Sequence, residues 1–84
     1  METNPILKET LLTAVDNQLR GGDPPEARET YDRLIAEGHP DKEARRLIGI
    51  ALVTEIHRIM TEKKPFDQDN YAALLRKLPQ MPWE

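Results

Sequence analysis

The stretch from residue 41 to residue 62 constrains the fold of this chain more than any other feature. Apolar side chains recur through it at helical spacing, and Pro40 and Pro65 flank it. One apolar stripe contains Ala44, Leu47, Ile48, Ala51, Leu52, Ile56 and Ile59, and a second contains Ile50, Val53, His57 and Met60. A helix that is apolar around most of its circumference must be covered on several sides. We therefore predict a single long helix over residues 41–62 at the centre of the fold.

Turn-forming residues divide the rest of the chain into three further helical segments, near residues 5–20, 24–37 and 68–78. The boundaries carry Asn4-Pro5, Gly21-Gly22, Gly38, Asp67 and Pro79. Asp and Asn cap helix N-termini, Pro suits the first turn, and Gly suits the left-handed residue after the last turn. No stretch alternates with period two, so no strand is predicted. The sequence therefore predicts an all-α, four-helix bundle-like fold, with residues 1–84 as a single domain and residues 80–84 as a short tail.

Three local features refine this prediction. Asn4 is predicted to cap the first helix and Asp67 the fourth, where Phe66 can pack against Tyr71 as a hydrophobic staple. The fourth helix is expected to pack along the central one. Gly49 lies inside the central helix, where glycine costs about 1 kcal/mol relative to alanine. We interpret it as the place where a neighbouring helix approaches closely.

Composition and charge exclude several classes of function. The chain has no cysteine and no serine, which removes disulfides, thiolate metal sites and the commonest nucleophiles. A net charge of −3 and only one Phe, one Trp and two Tyr argue against nucleic-acid binding. The longest apolar run is far too short to span a membrane, and the first residues do not resemble a signal peptide. A cytoplasmic protein without enzymatic activity is expected.

Neither histidine lies in a recognisable metal motif, so no metal or cofactor is predicted. Glu55 falls on the main apolar stripe of the central helix, where a carboxylate must reach solvent, form a pair or take a raised pKa. A structural salt bridge, with Arg58 as one candidate partner, and a ligand-binding carboxylate are both open interpretations. His57 is two positions away, about 200° around the helix, so the two side chains cannot chelate one ion together.

The second stripe of the central helix is the candidate interaction surface. Three short helices leave part of it uncovered, so we expect Ile50, Val53, His57 and Met60 to contact a partner, with Trp83 in the tail as an anchor. The leading hypothesis is a noncatalytic protein–protein interaction module that forms a homodimer through this stripe or the first helix. In the competing structural interpretation, the first helix covers the stripe and the tail folds back. The alternative function is a small-molecule or metal-binding regulator that uses Glu55 and His57.

Several segments between Pro24 and Pro79 carry a family resemblance. They are residues 28–39, Glu43-Ala44, residues 47–49, Glu55-Ile56, residues 64–67 and residues 71–79. Together they resemble a family of small helical domains of unknown function from bacteria and archaea, which occur alone or at the C-terminus of larger cytoplasmic proteins. The resemblance implies a prokaryotic source and a helical fold, and it supplies no catalytic residues. Where such a domain follows a zinc-binding cysteine motif, this chain departs from the pattern because it lacks cysteine.

Overall fold

The computed structural model describes residues 5–81, with side chains described from Glu9 onward. Within residues 5–81 the chain forms helices and no strand. The helices are α1 (Pro5–Gly21), α2 (Pro25–Ala36), α3 (Asp41–Glu62) and α4 (Gln68–Lys77). Every boundary lies within one residue of its predicted position, so the all-α, four-helix prediction is confirmed. The predicted cap Asn4 and the predicted anchor Trp83 lie outside the described residues.

Helix α3 is the centre of the fold: like α2 it packs against the three other helices, and it contributes more buried residues than α2 does. It continues unbroken through Gly49, and at 1.5 Å per residue it is about 33 Å long, close to the longest dimension of the molecule, 35 Å. Its buried residues are Ala44, Leu47, Ile48, Gly49, Ala51, Leu52 and Glu55. None of them follows Glu55, so the last two turns of α3 extend past the core.

The core lies where the other three helices turn their apolar faces toward α3. Its buried side chains outside α3 include Val15, Leu19, Ala27, Leu34, Tyr71, Leu75 and Leu78. A buried phenol needs a hydrogen-bond partner, and the hydroxyl of Tyr71 donates to Oε1 of Gln18 at 2.8 Å. Burial raises the pKa of Tyr71 to about 12. This hydrogen bond links α4 to α1, two helices that make no other close contact among the described residues.

The predicted helix-end signals near residues 38 and 67 are both confirmed. Gly38 has a φ of +100° and follows the last turn of α2, with the N–H of His39 donating to the carbonyl of Leu34 at 3.0 Å. At the start of α4, the side chain of Asp67 accepts from the N–H of Asn70 at 3.2 Å. The ring of Phe66 meets that of Tyr71 edge-on, with 6.0 Å between centroids. By contrast, α2 and α3 begin after prolines and have no side-chain cap.

Gly49 lies beneath a neighbouring helix, as the sequence suggests, but the contact does not require glycine. It is buried beneath α1, yet a methyl group built on its Cα would meet Cγ2 of Val15 at 3.9 Å, which is an ordinary van der Waals distance. The approach of α1 therefore leaves room for a side chain.

Candidate functional site

Glu55 is a charged side chain inside the core, with 0% of its surface exposed. Arg58, one turn later on α3, donates from Nε to Oε1 at 2.9 Å and from Nη2 to Oε2 at 2.7 Å. Such a two-point contact is the strongest arrangement of an arginine and a carboxylate. The predicted salt bridge between Glu55 and Arg58 is therefore present.

Two further donors complete the surroundings of this carboxylate. The backbone N–H of Asp67 donates to Oε2 at 3.0 Å, and Nδ2 of Asn70 donates to Oε1 at 2.6 Å. Arg58 chiefly, then these two donors, outweigh the cost of burial and lower the pKa of Glu55 to about 2. The carboxylate thus joins α3 to the loop before α4 and to the first turn of α4. Its observed role is structural.

A cleft of about 400 Å³ lies beside this network, between α3 and α4. Its lining is Thr54, His57, Arg58, Thr61, Glu62, Asn70 and Leu74, and does not include Glu55. A ligand of Glu55 would therefore have to displace Arg58 or Asn70 first. Among the described side chains, no group of three or more His, Cys, Asp or Glu residues is placed to hold a metal ion. The structure does not bring Glu55 and His57 together.

The exposed apolar surface of α3 is formed by Val53, Ile56 and Met60, with exposed fractions of 36%, 37% and 74%. His57 is exposed beside them, and we call these four residues the α3 outer face. Val53, His57 and Met60 were predicted for this surface, whereas Ile50 is half-buried. Ile56 was grouped with the main apolar stripe, but unlike Leu52 on that stripe its side chain is exposed. It lies about 100° around the helix from Glu55, where no neighbouring helix buries it.

Helix α1 covers the first half of α3 and leaves the outer face open. Val15 lies over Gly49, and Asp16 forms an ion pair with Arg45 near the start of α3. The competing interpretation, in which the first helix covers the whole second stripe, therefore fails at Val53 and Met60. The chain after α4 does fold back as far as Met81, which is half-buried against the core.

Sequence reasoning missed a contact between α2 and the C-terminal end of α4. Nη1 of Arg33 donates to the carbonyl of Leu78 at 2.9 Å, and Nη2 donates to the carbonyl of Leu75 at 3.1 Å. The carbonyl of Leu75 also accepts the N–H of Leu78 at 3.2 Å, so Arg33 adds a second donor there. Carbonyls at the C-terminal end of a helix carry partial negative charge, which the guanidinium offsets. Nη1 of the same arginine lies 3.3 Å from Oε2 of Glu37. That pair is four residues apart on a helical segment, so the sequence alone indicates it.

No family model matches this chain, and no curated protein or solved structure matches it. The resemblance to small helical prokaryotic domains therefore stays a prediction. Within residues 5–81, none of the helices combines the length and apolar character that a membrane span requires.

Proposed function

We propose that this chain is a noncatalytic protein–protein interaction module that self-associates through the α3 outer face. The observation that supports this proposal is the exposure of Val53, Ile56 and Met60 along one side of a single helix. Apolar side chains grouped in this way gain about 25 cal/mol for each Å² that a partner removes from water. The proposal keeps the expectation of a cytoplasmic protein that needs no cofactor and binds neither nucleic acid nor membrane.

A second copy of the chain is the occupant that fits this face. The outer face is nearly symmetric along α3, since Val53 and Met60 lie at equal distances on either side of the Ile56-His57 pair. An antiparallel pairing about a two-fold axis would therefore place the short Val53 opposite the long Met60 of the second copy. No lysine, arginine or carboxylate belongs to the face. A face of four residues is smaller than a standard interface, so we expect a weak dimer.

Sedimentation velocity over about 10 μM to 1 mM tests this proposal. The wild-type protein should shift from the 9.7 kDa monomer toward a dimer as concentration rises. Ile56→Lys and Met60→Lys should each abolish the shift, because a buried ammonium opposes association. Ile35→Lys is the matched control, since Ile35 is 39% exposed but lies on α2. A monomer at every concentration, or equal loss in the control, would contradict the proposal.

The alternative function, a small-molecule or metal-binding regulator that uses Glu55 and His57, lacks a supporting observation. Both oxygens of Glu55 already accept hydrogen bonds, whereas His57 is exposed on the outer face. Such a ligand would have to break the bidentate contact with Arg58. Self-association requires no rearrangement of the network, and we therefore favour it.

A further inference from the structure

A second cleft lies at the opposite end of α3, where the end of α1, the start of α2 and the start of α3 meet. Its volume is about 310 Å³, and its lining is Asp16, Leu19, Arg20, Arg28 and Arg45. Each of the three helices contributes one arginine. The full chain has a net charge of −3, yet the lining of this cleft carries three cations and one carboxylate. Guanidinium groups therefore converge here, although Asp32 and Asp41 next to the lining bring the local carboxylates to three.

Two of the arginines contact the ring of Tyr31. Cζ of Arg28 lies 5.6 Å from the ring centroid, and Cζ of Arg45 lies 5.4 Å from it. The Tyr31 hydroxyl donates to Asp41, which also accepts from Nε of Arg45 at 2.8 Å. Arg45 is therefore fixed by the ring and two carboxylates before any ligand arrives, which reduces the entropy cost of binding, and Arg28 contacts the same ring.

Three carboxylates, Asp16, Asp32 and Asp41, offset the charge of these arginines but leave donors available. Arg45 uses Nε for Asp41 and Nη1 for Asp16, so its Nη2 remains for a ligand. Arg28 meets Asp32 through Nε at 3.3 Å, with both side chains more than half exposed. Arg20 lies in the last turn of α1 and has no ion-pair partner within the described part of the chain. Each arginine thus keeps N–H groups for an additional acceptor.

We propose that Arg20, Arg28 and Arg45 form a binding site for the phosphate group of a soluble small molecule. Guanidinium groups match phosphate oxygens in geometry and charge and hold them through paired hydrogen bonds. The ligand expected here is a compact oxyanion that carries two or three negative charges and binds in a shallow cleft. This site is separate from the α3 outer face, so it does not depend on self-association.

A titration followed by ¹H–¹⁵N NMR tests this site, with pyrophosphate and inorganic phosphate as probes at low ionic strength. Pyrophosphate should produce saturable shifts in the amides around Leu19, Arg28 and Arg45, with a dissociation constant of about 1 mM or below. Inorganic phosphate should shift the same amides and bind more weakly, because it carries less charge. Arg20→Gln and Arg28→Gln should each weaken pyrophosphate binding about fivefold or more. Both side chains are exposed, so the spectra should show an intact fold.

Arg76→Gln is the matched control, because Arg76 is an exposed arginine at the far end of α4. It should bind pyrophosphate as the wild type does. The proposal is overturned if the shifts do not saturate, or if Arg76→Gln weakens binding as much as Arg28→Gln. Sedimentation with phosphatidylglycerol vesicles separates a soluble ligand from a lipid headgroup. Binding to vesicles without binding to pyrophosphate would also overturn it.

Discussion

Arg58 joins the buried Glu55 carboxylate to the protein surface. The carboxylate is completely buried, whereas the Arg58 side chain is 19% exposed, so the guanidinium retains contact with water while it neutralises the charge inside. Arg58 also lies 3.8 Å from the exposed carboxylate of Glu62. One arginine therefore meets two glutamates on the same helix, one in the core and one in solvent, which allows their contributions to be compared directly.

Glu55→Gln should reduce the free energy of unfolding by about 2–4 kcal/mol. A glutamine replaces one acceptor oxygen with an amide donor, which would face the donors of Arg58 and either Asp67 or Asn70. Urea unfolding followed by circular dichroism measures the change. Glu62→Gln, the same substitution against the same arginine, should cost less than about 0.5 kcal/mol because that pair is exposed. Equal effects of the two substitutions would show that burial of Glu55 does not matter.

Stability should also fall in acid through Glu55. Its pKa is lowered from 4.5 to about 2 in the folded protein, so its charged form stabilises the fold. That contribution is complete above about pH 5, declines as the pH drops below 4.5, and is lost near pH 2. Wild-type unfolding free energy should therefore decrease more steeply over this range than that of Glu55→Gln. Asp41 and Glu43, whose pKa values are also lowered, act in both proteins and cancel in the comparison. Parallel pH profiles would contradict the assignment.

Gly49→Ala should stabilise the protein by about 0.5–1 kcal/mol. Alanine is the better helix former, and its methyl group would contact Val15 at an ordinary distance. Thermal or urea unfolding measures the gain. Gly38→Ala is the contrasting substitution, because the φ of Gly38 is +100° and an L side chain is strained there. It should destabilise the protein, and a loss of stability in Gly49→Ala would show that α1 approaches more closely than the structure indicates.

Arg33→Lys should lower stability by about 1–2 kcal/mol, because a lysine ammonium cannot reproduce the two-point contact with the carbonyls of Leu75 and Leu78. Hydrogen exchange should accelerate most in the last turn of α4. Glu37→Gln removes the exposed ion pair of Arg33 at the end of α2, together with the 4.0 Å contact of Glu37 to His39, and should change stability by less than about 0.5 kcal/mol. Exchange that is unchanged in α4 would exclude a capping role for Arg33.

The features predicted from sequence are those in which nearby residues determine the outcome. Asp67 caps a helix that starts at the next residue, Phe66 meets Tyr71 five positions later, and Gly38 ends α2 through its own backbone conformation. The bounds of α3 follow from apolar periodicity between flanking prolines. Each of these outcomes depends on a short stretch of chain, so the sequence predicts it without knowledge of how the helices pack.

The features that were missed depend on where separate helices meet. Arg33 reaches carbonyls more than forty residues away, and nothing in its local pattern distinguishes that partner from Glu37. Ile56 has helical spacing with the core stripe, but its exposure depends on where the neighbours of α3 stop. The space between Gly49 and Val15 likewise depends on the distance that separates α1 from α3 at this point. Periodicity identifies an apolar face and does not show which part of it is covered.

The hydrogen bond from Tyr71 to Gln18 is the one tie between α1 and α4 among the described residues, because these two helices make no other close contact. Helix α1 is held instead by α2 and α3, with Val15 over Gly49 and Asp16 paired to Arg45. A substitution that loosens α1 should therefore disturb α2 and α3 directly and affect α4 directly only through the Tyr71 hydroxyl.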